Sequence, residues 1–227
     1  MILSFVNEKG GVGKSTLASN LAIRCAYSGL DVLVVDADPQ QSVSMFFQIR
    51  NSPDSLGYQK NNAEGKITCI SKTGNIQHDI KQLSGNYDLT IIDTGGRDSV
   101  EARTAMLISD AIIIPAVASQ FDTWSLEKIL NVYRDAKMFN QKVKAFILPN
   151  KISPNPMIKE GGELINFIKD VAKPEDEMYL LDTVVFERIA FRKVVSDGLS
   201  VIEIEGDGNK AKVELDNLYS EIDRRLA

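Results

Sequence analysis

Short apolar runs closed by turn residues alternate along the chain with longer stretches whose apolar residues return every three or four positions. The runs predict strands at Ile2–Asn7, Val32–Asp36, Ile67–Ile70, Leu89–Asp93, Ala111–Pro115 and Val143–Pro149, with a seventh candidate at Tyr179–Val185. Helical spacing covers Ser15–Ser28, Ile76–Leu83, Ser99–Ile108, Trp124–Met138, Ile158–Val171, Ile189–Val195 and Asn209–Leu226. The strand runs are apolar on successive residues, the mark of strands covered on both faces. Strand–helix alternation throughout predicts an α/β fold, a doubly wound, mostly parallel sheet flanked by helices. Ligands of such sheets sit beyond the carboxyl ends of the strands. Asn51–Lys66, with Pro53, Gly57 and Gly65 among Asn, Ser and Gln, follows neither period. It reads as a surface insertion and not a boundary, so residues 1–227 are expected to form a single domain.

Composition narrows the setting. The chain has 227 residues, 44% apolar, with no apolar run long enough for a transmembrane helix. Met1-Ile2-Leu3-Ser4-Phe5 leads straight into a Gly-rich loop without a basic stretch or cleavage site, so a signal peptide is not expected and a cytoplasmic location is. Cys25 and Cys69 are isolated, which suits a reducing compartment, and with the single His78 they lack zinc-ligand spacing. A net charge of −5 gives no overall attraction to nucleic acid, so DNA binding would need a local patch.

The chemistry begins at Glu8–Thr16, EKGGVGKST, between a predicted strand and a predicted helix. Gly10, Gly11 and Gly13 allow backbone N–H groups to turn toward phosphates, and the helix N-terminus adds unpaired donors and a positive dipole end. In such a P-loop Lys14 neutralises the β- and γ-phosphates and the Ser15 hydroxyl ligates Mg2+. The expected nucleotide-binding set is Lys9, Gly10, Gly11, Val12, Gly13, Lys14, Ser15 and Thr16. Two positions depart from the general pattern: Glu8 replaces its first Gly, and Lys9 adds a second lysine.

Further on, Asp36-Ala37-Asp38-Pro39-Gln40 ends the second strand, and two carboxylates two residues apart leave a strand on the same side. Tyr87-Asp88-Leu89-Thr90-Ile91-Ile92-Asp93-Thr94-Gly95-Gly96 ends another strand with a third carboxylate, followed by Arg97-Asp98-Ser99. Taken together, the KGGxGK[ST] loop, the DxDPQ turn and the Asp93 strand resemble the ParA/MinD family of deviant P-loop ATPases. Glu187-Arg188-Ile189-Ala190-Phe191 and Gly198-Leu199-Ser200-Val201 extend the resemblance to about residue 205, with a gap over Asn51–Lys66.

The resemblance implies a P-loop fold and an ATPase with ATP and Mg2+ as cofactors. Lys9, Lys14 and Asp38 would be catalytic, with Lys9 reaching across a dimer interface to the partner's nucleotide and Asp38 orienting the attacking water. Ser15, Asp36 and Asp93 would lie at or near the metal. Asn150, after the strand ending at Pro149, stands where the family contacts adenine; Asn150-Lys151-Ile152-Ser153 lacks the Asp that reads guanine. Arg97 is expected to pair with Asp98 or to be solvated.

Several family functions share that site. The early P-loop strand leaves no room for the N-terminal operator-binding domain of longer ParA proteins, so the likeness is to short partition ParA proteins. These bind DNA nonspecifically as ATP dimers and are released by a ParB-like centromere-binding partner, which would place the protein on the nucleoid. MinD proteins hold membrane through a basic C-terminal helix. Here Lys210, Lys212, Arg224 and Arg225 are balanced by Glu214, Asp216, Glu221 and Asp223, and Val213, Leu215, Leu218, Ile222 and Leu226 are expected to pack on the sheet. Such a helix is a poor anchor for anionic lipid. DNA would meet Arg192, Lys193, Arg224, Arg225 and the basic stretch Arg134–Lys151. A cargo-positioning ATPase acting on membrane or a protein complex is the alternative.

Overall fold

Parallel strands buried on both faces need a covering helix between each pair, and the chain supplies one at nearly every step. The computed structural model describes residues 1–118, 120–204, 206 and 209–226, with only the backbone at 120–123. Its strands are β1 (Ile2–Phe5), β2 (Val32–Ala37), β3 (Ile67–Ser71), β4 (Leu89–Thr94), β5 (Ala111–Ala116), β6 (Lys144–Pro149) and β7 (Met178–Leu180). They form one sheet in the order β3-β2-β4-β1-β5-β6-β7, and every pairing is parallel. The doubly wound expectation is met, with β1 between β4 and β5 at the point where the order reverses.

On one face, α1 (Lys14–Ala26), α2 (Ser42–Arg50) and α9 (Lys210–Leu226) cover the sheet: Leu17, Leu21, Phe46, Leu215 and Leu218 pack with Leu3, Phe5, Val34 and Ile91. The other face carries α4 (Gln77–Leu83), α5 (Val100–Ile108), α6 (Gln120–Lys137) and α7 (Glu160–Val171). There Met106, Leu130, Tyr133 and Ile168 meet Ile112, Ile114 and Ile147. Short α3 (Leu56–Gln59) and α8 (Ile189–Lys193) complete the α-helices among the described residues. Register levels the ends of the central strands, for Asp93 stands opposite Phe5 on one side and Asp36 on the other.

Three features differ from the sequence expectation, each for a nonlocal reason. Helix α2 went unpredicted: it starts after Gln41 at φ 53°, and its cap is the Asp36 carboxylate, which accepts the Ser44 N–H at 2.7 Å. The Asn51–Lys66 segment is mostly exposed, yet it carries α3 and is pinned by Gly57, where a Cβ would fall 2.1 Å from the Gly198 carbonyl oxygen. Strand β7 stops at Leu180 because the Asp182 and Thr183 N–H groups go to the Glu221 carboxylate of α9, at 2.9 and 2.8 Å. Burial disfavours the charged form of Glu221, but those hydrogen bonds and Arg225 outweigh it and hold its pKa below the ordinary value.

The end of α2 is locked by an ion pair in the interior. Arg50 donates to both Glu203 oxygens at 2.8 and 2.7 Å and to the Gly198 carbonyl at 2.9 Å, and the two side chains are 3% and 2% exposed. Removing one member strands a buried charge, which costs about 3–5 kcal/mol. Glu203→Gln should therefore lower the urea midpoint by that equivalent, and the Arg50→Met/Glu203→Leu double variant should regain part of it. A Glu203→Gln curve that superimposes on the unmodified protein would refute the assignment.

Candidate functional site

The loop from β1 to α1 is held from the ends of β5 and β6. Asn7 donates to the Pro115 carbonyl at 2.8 Å and accepts the Lys9 N–H at 2.9 Å, which anchors the loop to the end of β5. From the end of β6, Asn150 donates to the Val12 carbonyl and Lys151 to the Gly11 carbonyl, each at 2.6 Å. Gly11 and Gly13 have φ of 78° and 98°, and a Cβ on Gly13 would meet the Asn150 amide at 2.6 Å. With loop carbonyls satisfied by β6 side chains, the N–H groups of the first turn of α1 keep no intrahelical partner and are free to meet an anion.

Over this loop lies a cavity of about 670 Å3. Gly10, Gly11, Gly13, Lys14, Ser15 and Thr16 form one wall, Asp38 another, and Gly95, Gly96 and Arg97 a third. Gly96 is seated on the loop itself: a Cβ there would lie 2.7 Å from the Gly10 backbone. Across the cavity, Asp38 accepts the Gln40 N–H at 2.9 Å and stands 3.4 Å from where a Gly95 Cβ would be.

Buried charge concentrates at the floor. The Ser15 hydroxyl donates to Asp93 Oδ2 at 2.6 Å, while the other oxygen, Oδ1, is buried without a partner among the described residues. Burial is the main cause that pushes the Asp93 carboxyl up to about 7; Asp36 and Asp38 add to it, while Ser15 and Lys14 oppose it. Lys14 is also buried, and its amine donates to the Asn7 and Lys9 carbonyls at 3.2 Å. Desolvation holds its pKa below the ordinary value in spite of Asp93 and Asp38.

This floor fits a magnesium ion. An orphan carboxylate oxygen beside a hydroxyl is a hard oxygen donor set, and Mg2+ keeps several waters while taking one or two carboxylates and substrate phosphates. Among the described residues no cluster of three or more His, Cys, Asp or Glu forms a cage of its own. Asp36 stands beside Asp93 in register, with both carboxylate oxygens committed to backbone donors. Its Oδ1 accepts the Asp38 N–H at 3.2 Å and its Oδ2 the Ser44 N–H, so it caps the turn into α2 and offers the floor its charge.

The remaining expected residues fall in three places. Lys9 is half-buried and stands outside the wall of its own chain's cavity. Arg97 is exposed at the cavity, and Asp98 pairs with Arg103 instead, at 2.7 and 2.6 Å. Asn150 is buried and lines a second, smaller cavity of about 150 Å3 with Gly13, Thr16, Phe186, Arg188 and Phe191. Sequence reasoning did not assign Lys151, Phe186 or Arg188 to the site, although the Glu187–Phe191 stretch had pointed to the region.

Several expected DNA contacts have partners within the chain. Arg225 binds Glu221 and Asp182, Arg134 binds Asp176, and Lys137 donates to the Gln141 and Val143 carbonyls. Arg192, Lys193 and Lys212 remain exposed. On α9, Leu215, Leu218 and Ile222 are buried against the α1 side of the core, whereas Val213 is 57% exposed and not packed as expected. No helix among the described residues is long and apolar enough to cross a membrane.

Residues 3–201 match the family model described as the CobQ/CobB/MinD/ParA nucleotide binding domain. The maintenance of carboxysome distribution protein A of Halothiobacillus neapolitanus is 25% identical over 97% of this chain and 95% of its own length. The apo structure of McdA from Cyanothece has a TM-score of 0.77 at 18% identity, covering 100% of this chain and 99% of that one. A putative plasmid partition protein of Borrelia burgdorferi bound to AMPPNP gives 0.71 at 21% identity, covering 99% and 98%. A chain with this loop, this floor and this match belongs to the CobQ/CobB/MinD/ParA nucleotide-binding family and is a ParA/MinD-type ATPase.

Proposed function

We propose that the protein is a Mg-ATP-dependent dimerising switch whose ATP-bound form holds DNA without sequence preference and so serves plasmid or chromosome partition. The observation that carries the switch is the seating of Gly96 on Gly10: a γ-phosphate arriving over the P-loop meets the loop that follows β4, so its presence or loss is felt there. ATP and Mg2+ are the cofactors. Lys14 and the loop N–H groups hold the phosphates, Ser15 and Asp93 hold the metal, and Asp38 orients the attacking water. Lys9, outside its own cavity, completes the partner's site in a homodimer. Asn150 serves the nucleoside side, where a ribose or base edge can enter the smaller cavity.

DNA retention rests on end-to-end similarity to a partition protein and on the cations that internal pairs leave exposed. A ParB-like protein would trigger hydrolysis and release, and a cytoplasmic, nucleoid-bound location follows. Membrane is a poor alternative, because the apolar face of α9 is already buried. Cargo positioning is the second reading, favoured by the similarity to a carboxysome distribution protein. ATP-dependent retention on unrelated DNA, set against retention on anionic liposomes and on protein cargo, tests the choice.

Paired variants separate the two catalytic roles. Asp38→Ala should bind ATP, accumulate as a dimer by light scattering and hydrolyse poorly, whereas Lys9→Ala should bind ATP as a monomer. An unchanged ATP-bound dimer in Lys9→Ala would remove its role across the interface.

Asp93 makes the metal site pH-dependent. Its folded pKa lies above the unfolded value, so in the unliganded protein its contribution to stability is full at low pH and is lost as pH rises from about 4 through about 7. Mg2+ needs the ionised form, so Mg-nucleotide affinity should rise with pH to about 7 and then level off. Calorimetry at pH 6 in two buffers of different ionisation enthalpy should show proton release; its absence would contradict the metal role.

DNA binding of this kind is counterion release, with log affinity falling by about 0.9 per neutralised phosphate for each unit of log salt. Arg192→Ala, Lys193→Ala or Arg224→Ala should weaken all sequences equally, each reducing that slope by about one. ATP-bound protein that ignores DNA at low salt would exclude the partition reading.

A further inference from the structure

Two glutamates one heptad apart on α9 hold the chain segment that walls the smaller cavity. Glu221 takes the Asp182 and Thr183 N–H groups, and Glu214 takes the Phe186 N–H at 3.1 Å and Arg188 Nε and Nη2 at 3.0 and 2.7 Å. Both carboxylates are buried, 8% and 5% exposed. Arg188 in turn lies over the Phe186 ring, 5.0 Å from its centroid. Phe186 forms a parallel bridge with Ile152, and the Glu187 N–H reaches the Ile152 carbonyl at 2.8 Å. That strip begins with Asn150 and Lys151, whose side chains tie it to the P-loop carbonyls. Hydrogen bonds and short covalent links thus connect α9 through the Val185–Arg188 and Asn150–Ile152 strips to the loop. By contrast, the Ser15–Asp93 floor makes no use of them.

We infer that Glu214 of α9 is a positioning residue for the nucleoside half of the site: it fixes Arg188 and Phe186 so that the smaller cavity accepts the base, and α9 is thereby coupled to nucleoside occupancy. This rests on the nucleotide site proposed above. The geometry separates two halves: triphosphate and metal are held by the P-loop and Asp93, whereas the nucleoside meets a wall whose backbone is held by a helix from the end of the chain. A buried carboxylate that satisfies one backbone N–H and the Nε–Nη2 edge of a guanidinium holds that wall in place. Linkage then requires that a nucleoside filling the cavity stabilise the α9 contacts in return.

The test compares ATP with inorganic tripolyphosphate, each with Mg2+. In Glu214→Gln, ATP affinity should fall about tenfold, within the usual range of site-to-site coupling, while tripolyphosphate affinity stays unchanged. Glu214→Asp should recover part of the loss. In the unmodified protein, amide exchange at Asp182, Thr183 and Phe186 should slow with ATP and not with tripolyphosphate, a readout that does not depend on any variant folding. Equal losses for both ligands, or equal protection by both, would overturn the positioning role. If the unmodified protein bound neither ligand, the nucleotide site itself would fail, which is a different result from a Glu214→Gln variant that binds ATP normally.

Discussion

A parallel strand hands the chain to its neighbour only through a crossover, so all seven strands end on the same edge of the sheet. That constraint brings the P-loop, the Asp36–Asp38 turn and the Asp93–Gly96 loop together, although nearly ninety residues separate the first from the last. Asp93 is the point at which they meet. It stands in register with Phe5 and Asp36, accepts the Ser15 hydroxyl, and keeps one oxygen without a partner among the described residues, in an interior that penalises its charge. A buried carboxylate at about 7 is poorly placed unless a cation arrives.

Local patterns were enough to read most of this from the sequence. Six of the strand runs reappear within a residue or two, because a strand buried on both faces is apolar at every position and stands out from its flanks. The P-loop and both Asp motifs were legible because they are contiguous and sit at strand ends. What escaped was made by distant residues. Helix α2 has its cap eight positions upstream of Ser44, at Asp36, and its last residue is an arginine whose partner is Glu203. The first relation depends on the turn that brings Asp36 back over the start of α2, and the second lies far outside any window of a dozen residues.

The same reason explains the smaller cavity. Asn150 was singled out by the family resemblance, but Phe186 and Arg188 belong to the wall only because Glu214 and the Ile152 bridge hold them there. From the sequence, Arg188 entered only as part of the Glu187–Phe191 stretch, with no place in the site. In the fold it is neutralised by Glu214 and stacked on an aromatic ring, which makes it part of a surface and removes it from any count of free charge.

That distinction decides how charge counts should be used here. The Arg134–Lys151 stretch looked basic, yet Arg134 is paired with Asp176, Lys137 closes the turn between α6 and β6, and Lys151 supports the P-loop. Each already has a partner within the chain, so none counts as a free charge. Exposed cations near α8, by contrast, lie beside the smaller cavity: Arg192 lines it, and Lys193 follows. Ordering of that wall by a nucleoside would fix the base of α8 as well, and a cation held on an ordered helix loses less freedom when it meets a phosphate than one on a loose segment. In the proposed mechanism ATP would then act on DNA affinity twice, once by joining two copies and once by ordering the surface each copy presents.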